Sequence, residues 1–92
     1  MNLTIRYATT ADRFAVRRLA VLDSASPPTG EVLLAEMDDE LWAALSIDDG
    51  TAIADPFRPS GDLVELLRFR ADRLRQPERA HGMRARLLPR AA

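Results

Sequence analysis

Two apolar runs joined by three acidic residues constrain the fold of this chain more than any other feature. The first run spans Val32 to Met37 and the second spans Leu41 to Ile47, with Asp38-Asp39-Glu40 between them. Both runs are short and have few helix caps, so the pattern predicts an antiparallel β-hairpin. The second run is apolar enough for a strand that is buried on both faces.

Strand and helix signals precede this hairpin. Asn2 to Tyr7 alternates apolar and polar residues, which is the period of a half-buried strand. Thr9 stands three residues before Asp12, the spacing of a helix N-cap and a carboxylate that reaches back to it. The apolar residues that follow predict an amphipathic helix as far as Asp23, and the Pro-rich segment from Ser24 to Gly30 cannot continue it.

A third antiparallel strand and a second helix are predicted after the hairpin. Asp48-Asp49-Gly50 is a turn signal, so Thr51 to Asp55 adds a strand before two prolines break the ladder. Apolar residues at helical spacing predict a helix from about Gly61 to Arg75, which Pro77 ends. The expected fold is α+β, with a four-stranded, mainly antiparallel sheet and two helices.

The charged residues divide the chain into an acidic body and a basic end. Residues 1–67 carry five Arg and twelve acidic residues, whereas residues 68–92 carry eight Arg and two acidic residues. Residues 77–92 contain few large apolar groups. We therefore expect a folded domain at residues 1–76, followed by a basic, mostly disordered tail.

Composition argues against several classes of function. The 92-residue chain has no Cys and a single His near its end, which disfavours a zinc site, a thiolate nucleophile and a Ser–His catalytic pair. No apolar run approaches the roughly 20 residues of a membrane-spanning helix. We expect no metal and no membrane association, and a reduced, cytoplasmic protein is the default interpretation.

The segment from Arg58 to Leu63, here called the Arg58–Leu63 loop, lies where the last strand gives way to the second helix. A helix N-terminus offers free backbone N–H groups and a positive dipole, so a Gly there can admit an anion. A second interpretation is a Pro-set turn in which Ser60 or Asp62 caps the helix without a ligand. Leu63 should obstruct a phosphate, and the carboxylates of Asp62 and Glu65 should repel it.

The order strand, helix, Pro-rich loop, three antiparallel strands, loop and helix resembles the N-terminal part of the GNAT acyltransferase superfamily. The segment from Ile5 to Asp12 looks like the family's first strand and N-capped helix, and the resemblance covers about residues 3–75. In the family, an Arg/Gln-x-x-Gly-x-Gly/Ala loop binds the diphosphate of acyl-CoA. The resemblance implies that Arg58, Ser60 and Gly61 would bind acetyl-CoA or another acyl-CoA. The family's later strands and helix have no counterpart, so the resemblance identifies no catalytic residue.

These observations favour a GNAT-like module that is not catalytic and acts in protein interaction or regulation. In such a partial fold the last strand would present an unpaired edge unless prolines, the tail, a second copy or a larger protein covered it. Trp42, Phe57 and the last helix are the candidate contact elements. The tail would add Arg79, Arg84 and Arg86.

Two alternatives from other classes stay open. A minimal acyl-CoA-dependent N-acyltransferase would use the Arg58–Leu63 loop, with the second wall of its cleft supplied by a partner chain or second subunit. A nucleic-acid-associated protein would use Arg79, Arg84, Arg86 and Arg90 for salt-sensitive phosphate contacts. Only the first alternative requires a cofactor.

Overall fold

The computed structural model of the protein describes residues 2–75. In chain order the elements are β1 (Leu3–Tyr7), a short 3₁₀-helix (Thr10–Asp12), α1 (Arg13–Leu22), β2 (Val32–Met37), β3 (Glu40–Ser46), β4 (Ala52–Ala54) and the described residues of α2 (61–75). The strands pair in the order β1-β2-β3-β4, each antiparallel to the next, which confirms the predicted α+β fold. Within residues 2–75, no helix is both long and apolar enough to cross a membrane.

The sheet lies between the two helices because its central strands are apolar on both faces. Alternation along β2 sends Leu34 into a core with Leu19 of α1, and Leu33 into a core with Leu67 of α2. Full burial of one such side chain stabilises the fold by about 1.5–3 kcal/mol. The α1-side core comprises Val16, Leu19, Ala20, Val32, Leu34, Ala44 and Ile53. The α2-side core comprises Leu33, Ala35, Ala43, Leu45, Ile47, Leu63, Leu67 and Ala71.

β3 carries one extra residue opposite β2. Ala43 lies opposite Ala35 and Leu41 lies opposite Glu36, so the register passes over Trp42. Such a bulge interrupts the ladder, bends the strand and re-aims the side chain of the extra residue. The half-buried indole of Trp42 therefore packs against the edge of the α2-side core, near the end of the sheet where β3 begins.

The β2–β3 turn consists of Asp38 and Asp39. Glu40 was predicted to belong to this turn, but it is the first residue of β3. Asp38 and Asp39 have φ angles of +51° and +68°. Two consecutive left-handed residues are typical of a type I′ turn, in which Gly is favoured at the second place. Asp38 Oδ1 accepts a hydrogen bond from the Asn2 N–H at 2.8 Å. Asp39 makes no side-chain hydrogen bond among the described residues.

Arg6 ties β1 to β2 and to the helical segment that follows β1. Its guanidinium donates to Asp12 at 2.7 and 2.9 Å and to Glu36 at 3.0 and 3.3 Å. Asp12 also accepts from the Thr9 N–H at 2.7 Å, so the predicted reach of this carboxylate is confirmed. The hydrogen bonds from Arg6 and then from Thr9 hold the pKa of Asp12 well below its usual range. Hydrogen bonds to the same two carboxylates hold the pKa of Arg6 above its usual range.

Asp39→Gly should stabilise the protein, because Gly adopts the left-handed conformation of this position without a Cβ clash. We expect the free energy of unfolding to rise by about 0.5–1 kcal/mol in urea denaturation. The matched control is Gly50→Ala, which forces a Cβ onto a residue with a φ of +78° and should lower stability. A destabilised Asp39→Gly variant would show that the turn has another geometry.

Asp12→Asn should remove an acid-sensitive part of the stability. A carboxylate whose pKa is lower in the folded than in the unfolded protein stabilises the fold above its unfolded pKa, near 3.8. That contribution is lost as the pH falls below about 4 and toward the folded pKa. Stability curves of the parent and Asp12→Asn should therefore differ at neutral pH and converge in acid. Arg6→Gln should give the same convergence, and parallel curves would contradict the proposed pairing.

Candidate functional site

Residues that the sequence assigned to separate roles meet at one end of the sheet. Arg58 is a predicted cofactor ligand and Trp42 a predicted partner contact. The guanidinium carbon of Arg58 lies 5.2 Å from the centre of the Trp42 ring. The start of β3, the segment after β4 and the first turn of α2 converge here. We call Glu40, Trp42, Asp55 and Arg58 the Trp42–Arg58 cluster.

The segment that joins β4 to α2 is organised by its own hydrogen bonds. Asp55 Oδ1 accepts from the Phe57 N–H at 2.9 Å, and the Asp55 carbonyl accepts from the Ser60 hydroxyl at 2.9 Å. The Ser60 N–H donates to the Arg58 carbonyl at 2.8 Å. The two prolines of this segment contribute no N–H that would need a partner. These bonds fix the backbone from which the Arg58 side chain reaches β3.

Arg58 is engaged by groups of its own chain. Its Nη2 lies 2.8 Å from Glu40 Oε1, and its Nε lies 3.9 Å from Asp55 Oδ2. Glu40 Oε1 also accepts from Trp42 Nε1 at 3.0 Å. A guanidinium on an aromatic face gains cation–π attraction in addition to its ion pairs. The positive charge that a diphosphate would meet is therefore largely neutralised by two carboxylates.

Two backbone donors at the start of α2 have no partner within residues 2–75. The Ser60 carbonyl accepts the N–H groups of Leu63 and Val64, both at 3.1 Å, which places Ser60 at the N-cap. Its buried hydroxyl donates to the Asp55 carbonyl rather than facing the solvent. Among the described residues, the N–H groups of Gly61 and Asp62 have no hydrogen-bond partner.

Leu63 does not cover the start of α2. Its side chain is 8% exposed and lies in the α2-side core, one helical turn before Leu67. The expectation that Leu63 obstructs a phosphate is therefore wrong, because helical periodicity turns this side chain toward the sheet. A Cβ placed on Gly61 would meet no atom within 4 Å, so space at the helix start is open. Charge remains the obstacle, since Asp62 and Glu65 are exposed in the first turns.

A cavity of about 290 Å³ adjoins the cluster on the α1 side of the sheet. Its charged walls are Arg18, Asp39, Glu40, Asp55 and Arg58, and carboxylates outnumber guanidiniums. This balance disfavours a doubly anionic ligand. A larger cavity of about 500 Å³ lies at the opposite end of the sheet and contains none of the predicted site residues. Within residues 2–75, no cluster of three or more acidic or His side chains is placed to hold a metal ion.

Some of the predicted partner contacts lie within residues 2–75 and others lie outside them. Phe57 is 81% exposed and presents its ring to the solvent beside the Trp42–Arg58 cluster. Arg79, Arg84 and Arg86 lie outside the described residues, as does Arg90. Their assignment to protein or nucleic-acid contacts stays a prediction.

The outer edge of β4 is partly protected by a side chain. The Ala54 N–H points away from β3 and donates to Asp23 Oδ2 at 3.1 Å, across a sequence distance of 31 residues. β4 is only three residues long, and a short edge that carries a carboxylate is a poor template for another strand. The unpaired edge predicted for the last strand is thus covered at Ala54 by Asp23, a residue that the sequence did not single out.

Comparison with known proteins identifies no relative of this chain. No protein-family model matches it, no curated protein matches it and no solved structure matches it. Any functional assignment must therefore come from the residues and geometry of this chain.

Sequence reasoning missed the partners that define the site. Opposite charges three residues apart were a usable signal for Asp55 and Arg58, which are close in the structure. Glu40 was placed in the acidic segment that joins the two strands of the hairpin. No local pattern connects Glu40 with Arg58, or Asp23 with Ala54. Both contacts depend on which ends of helices and strands the fold brings together.

Arg58→Ala should shift the fluorescence emission of Trp42, the one Trp of the chain, to longer wavelength. Loss of the guanidinium exposes the indole ring to water. Because the ion pair with Glu40 is half exposed, we expect the free energy of unfolding to fall by less than about 1 kcal/mol. Arg70→Ala, further along α2, is the control and should leave the emission unchanged. An unshifted spectrum for Arg58→Ala would contradict the stacking.

Proposed function

We propose that this chain is a binding or regulatory module with the architecture of the N-terminal part of a GNAT acyltransferase, and that it does not itself transfer acyl groups. Its partner is a protein. The contact surface is the end of the sheet that carries Phe57 and the Trp42–Arg58 cluster. The pairing of Arg58 with Glu40 and Asp55 is the observation that carries this proposal.

The order and layering of the elements support the GNAT-like architecture. One strand and one helix precede the β2–β3–β4 meander, and α2 begins where the chain leaves β4. α1 and α2 lie on opposite faces of the sheet. This support concerns the fold, and a fold alone does not determine activity. The functional part of the proposal therefore depends on the contacts of the Arg58–Leu63 loop.

Those contacts favour a structural role for the loop over a role in cofactor binding. A diphosphate at this loop would have to separate Arg58 from Glu40 and would then face the carboxylates of Asp62 and Glu65. The Ser60 hydroxyl, a predicted ligand, already donates to the Asp55 carbonyl. Each displacement would leave a polar group of the protein without its present partner, which opposes binding.

The same cluster suits a protein partner. Trp, Tyr and Arg dominate the residues that contribute most to protein interfaces, and Trp42 and Arg58 lie side by side here. The ion pair with Glu40 already holds Arg58 in place, so little of its conformational freedom remains to be lost on binding. The exposed ring of Phe57 adds an apolar anchor, and Asp39 adds exposed negative charge nearby. A matching partner offers an apolar pocket with basic residues at its rim.

A minimal acyl-CoA-dependent N-acyltransferase is the second candidate function. The unpartnered N–H groups of Gly61 and Asp62 among the described residues, and the open space at Gly61, favour it. Acetyl-CoA would be its cofactor, with the rest of the cleft supplied by a partner chain. The two candidates differ in one measurable property, the affinity for acyl-CoA.

Isothermal titration calorimetry with acetyl-CoA should detect no binding heat at ligand concentrations up to about 1 mM. Gly61→Ala and Gly61→Glu form a matched pair for this measurement. The first adds a methyl group in open space and keeps the N–H, whereas the second adds a carboxylate at the two free donors. We expect the parent and both variants to behave alike.

Saturable binding that Gly61→Ala keeps and Gly61→Glu loses would overturn the proposal. That pattern would place the diphosphate at the start of α2 and would establish the second candidate function. The two Gly61 variants should be compared by circular dichroism, so that a loss of binding is not confused with a loss of fold.

A further inference from the structure

Within residues 2–75, no strand pairs with the outer edge of β1. β1 pairs with β2 through alternate residues, as the hydrogen bonds Ala8 N–H to the Val32 carbonyl and Asp38 N–H to the Asn2 carbonyl show, both at 2.8 Å. The backbone groups of Leu3, Ile5 and Tyr7 consequently point away from the sheet. Among the described residues only the Tyr7 carbonyl has a partner there, Arg6 Nη1 at 3.2 Å, and a carbonyl oxygen can accept a second bond.

The two edges of the sheet differ in how they are protected. β4 has three residues and an outward N–H that is bonded to Asp23, whereas β1 has five residues and contains no Pro. Its register with β2 runs without a bulge from Leu3 to Tyr7. A regular strand whose outer edge has no partner among the described residues is a template for another strand.

The side chains of β1 add to this complementarity. Leu3 and Tyr7 are 42% and 47% exposed on the α2 side of the sheet, where Ile5 between them is half-buried. Thr4 and Arg6 lie on the other side of the strand. Aliphatic and aromatic side chains directly opposite each other stabilise an antiparallel pair.

We propose that β1 pairs with β1 of a second copy of this chain, antiparallel and about a two-fold axis at Ile5. Leu3 then lies opposite Tyr7 of the second copy, and Ile5 lies opposite Ile5. This register uses all three outward-facing residues of both strands, whereas a shift by two residues leaves only two of the three pairs. A shift by one residue would place the outward-facing backbone groups of one strand opposite residues whose backbone groups bond to β2 of their own sheet. The result is a continuous eight-stranded sheet.

The charges of β1 permit this register. It places Arg6 opposite Thr4 of the second copy, so no two like charges face each other directly. Arg6 is also held by Asp12 and Glu36 on its own chain, which limits its repulsion across the two-fold axis. The interface is small, so the dimer is weak and depends on concentration.

The pairing of β1 with a second copy goes beyond the proposed function. It uses a different surface from the Trp42–Arg58 cluster and has a different readout from the acetyl-CoA titration. A chain that dimerises and binds acetyl-CoA would contradict only the proposed function. A chain that does neither would contradict only the pairing of β1.

Two double variants with the same first substitution test the register. Leu3→Lys with Tyr7→Lys puts two pairs of like charges opposite each other, whereas Leu3→Lys with Tyr7→Glu puts two pairs of opposite charges there. Both positions are about half exposed, and their neighbours on β2, Met37 and Leu33, are uncharged. The two variants should therefore fold equally well, which thermal melts by circular dichroism would verify.

Sedimentation equilibrium from about 10 μM to about 1 mM should show a monomer–dimer equilibrium for the parent chain. The Lys/Glu variant should keep it, and the Lys/Lys variant should have a dissociation constant at least about tenfold higher. In the parent, the amide protons of Leu3, Ile5 and Tyr7 should exchange more slowly as the concentration rises. A parent chain that is monomeric throughout, or equal dissociation constants for the two variants, would overturn the inference.

Discussion

Burial of β2 and β3 on both faces is the constraint on which the rest of this structure depends. Leu33 and Leu34 are neighbours in sequence but serve separate cores, so neither face of the central hairpin can be left in water. The chain solves this with one helix before the hairpin and one after β4. Leu19 covers one face and Leu67 covers the other. The loops that enter and leave these helices are therefore brought to the ends of the sheet.

One end of the sheet carries the Trp42–Arg58 cluster. The bulge in β3 re-aims Trp42, and the segment before α2 brings Arg58 onto its ring, where Glu40 binds both side chains. The Arg58–Leu63 loop resembles a phosphate-binding loop in sequence, but its Arg58 side chain contacts Glu40, Asp55 and Trp42 of the same chain. We propose that the neighbouring carboxylates outweigh the attraction of the two N–H groups that have no partner within residues 2–75. The same residues form a compact aromatic and charged surface, which is the basis for proposing protein contact.

Local patterns predicted most of the fold, and tertiary contacts account for what they missed. Val32 to Met37 was predicted with the observed bounds because strand alternation and turn residues are local signals. The reach of Asp12 back to Thr9 is equally local. The prediction that Leu63 obstructs a phosphate was wrong, because the helical phase of α2 turns this side chain into the core. The pairs Arg58–Glu40 and Ala54–Asp23 join residues that are distant in sequence. Such contacts cannot be predicted from local patterns in a single sequence.

Nuclear Overhauser contacts between methyl groups test the two-faced burial of the hairpin most directly. Leu34 should show contacts to Leu19 and none to Leu67, whereas Leu33 and Leu45 should show contacts to Leu67 and none to Leu19. That pattern places a helix on each face of the sheet. It thereby fixes the position of the start of α2, which lies next to the Trp42–Arg58 cluster. Contacts from Leu19 and Leu67 to the same set of strand residues would put both helices on one face and contradict the account.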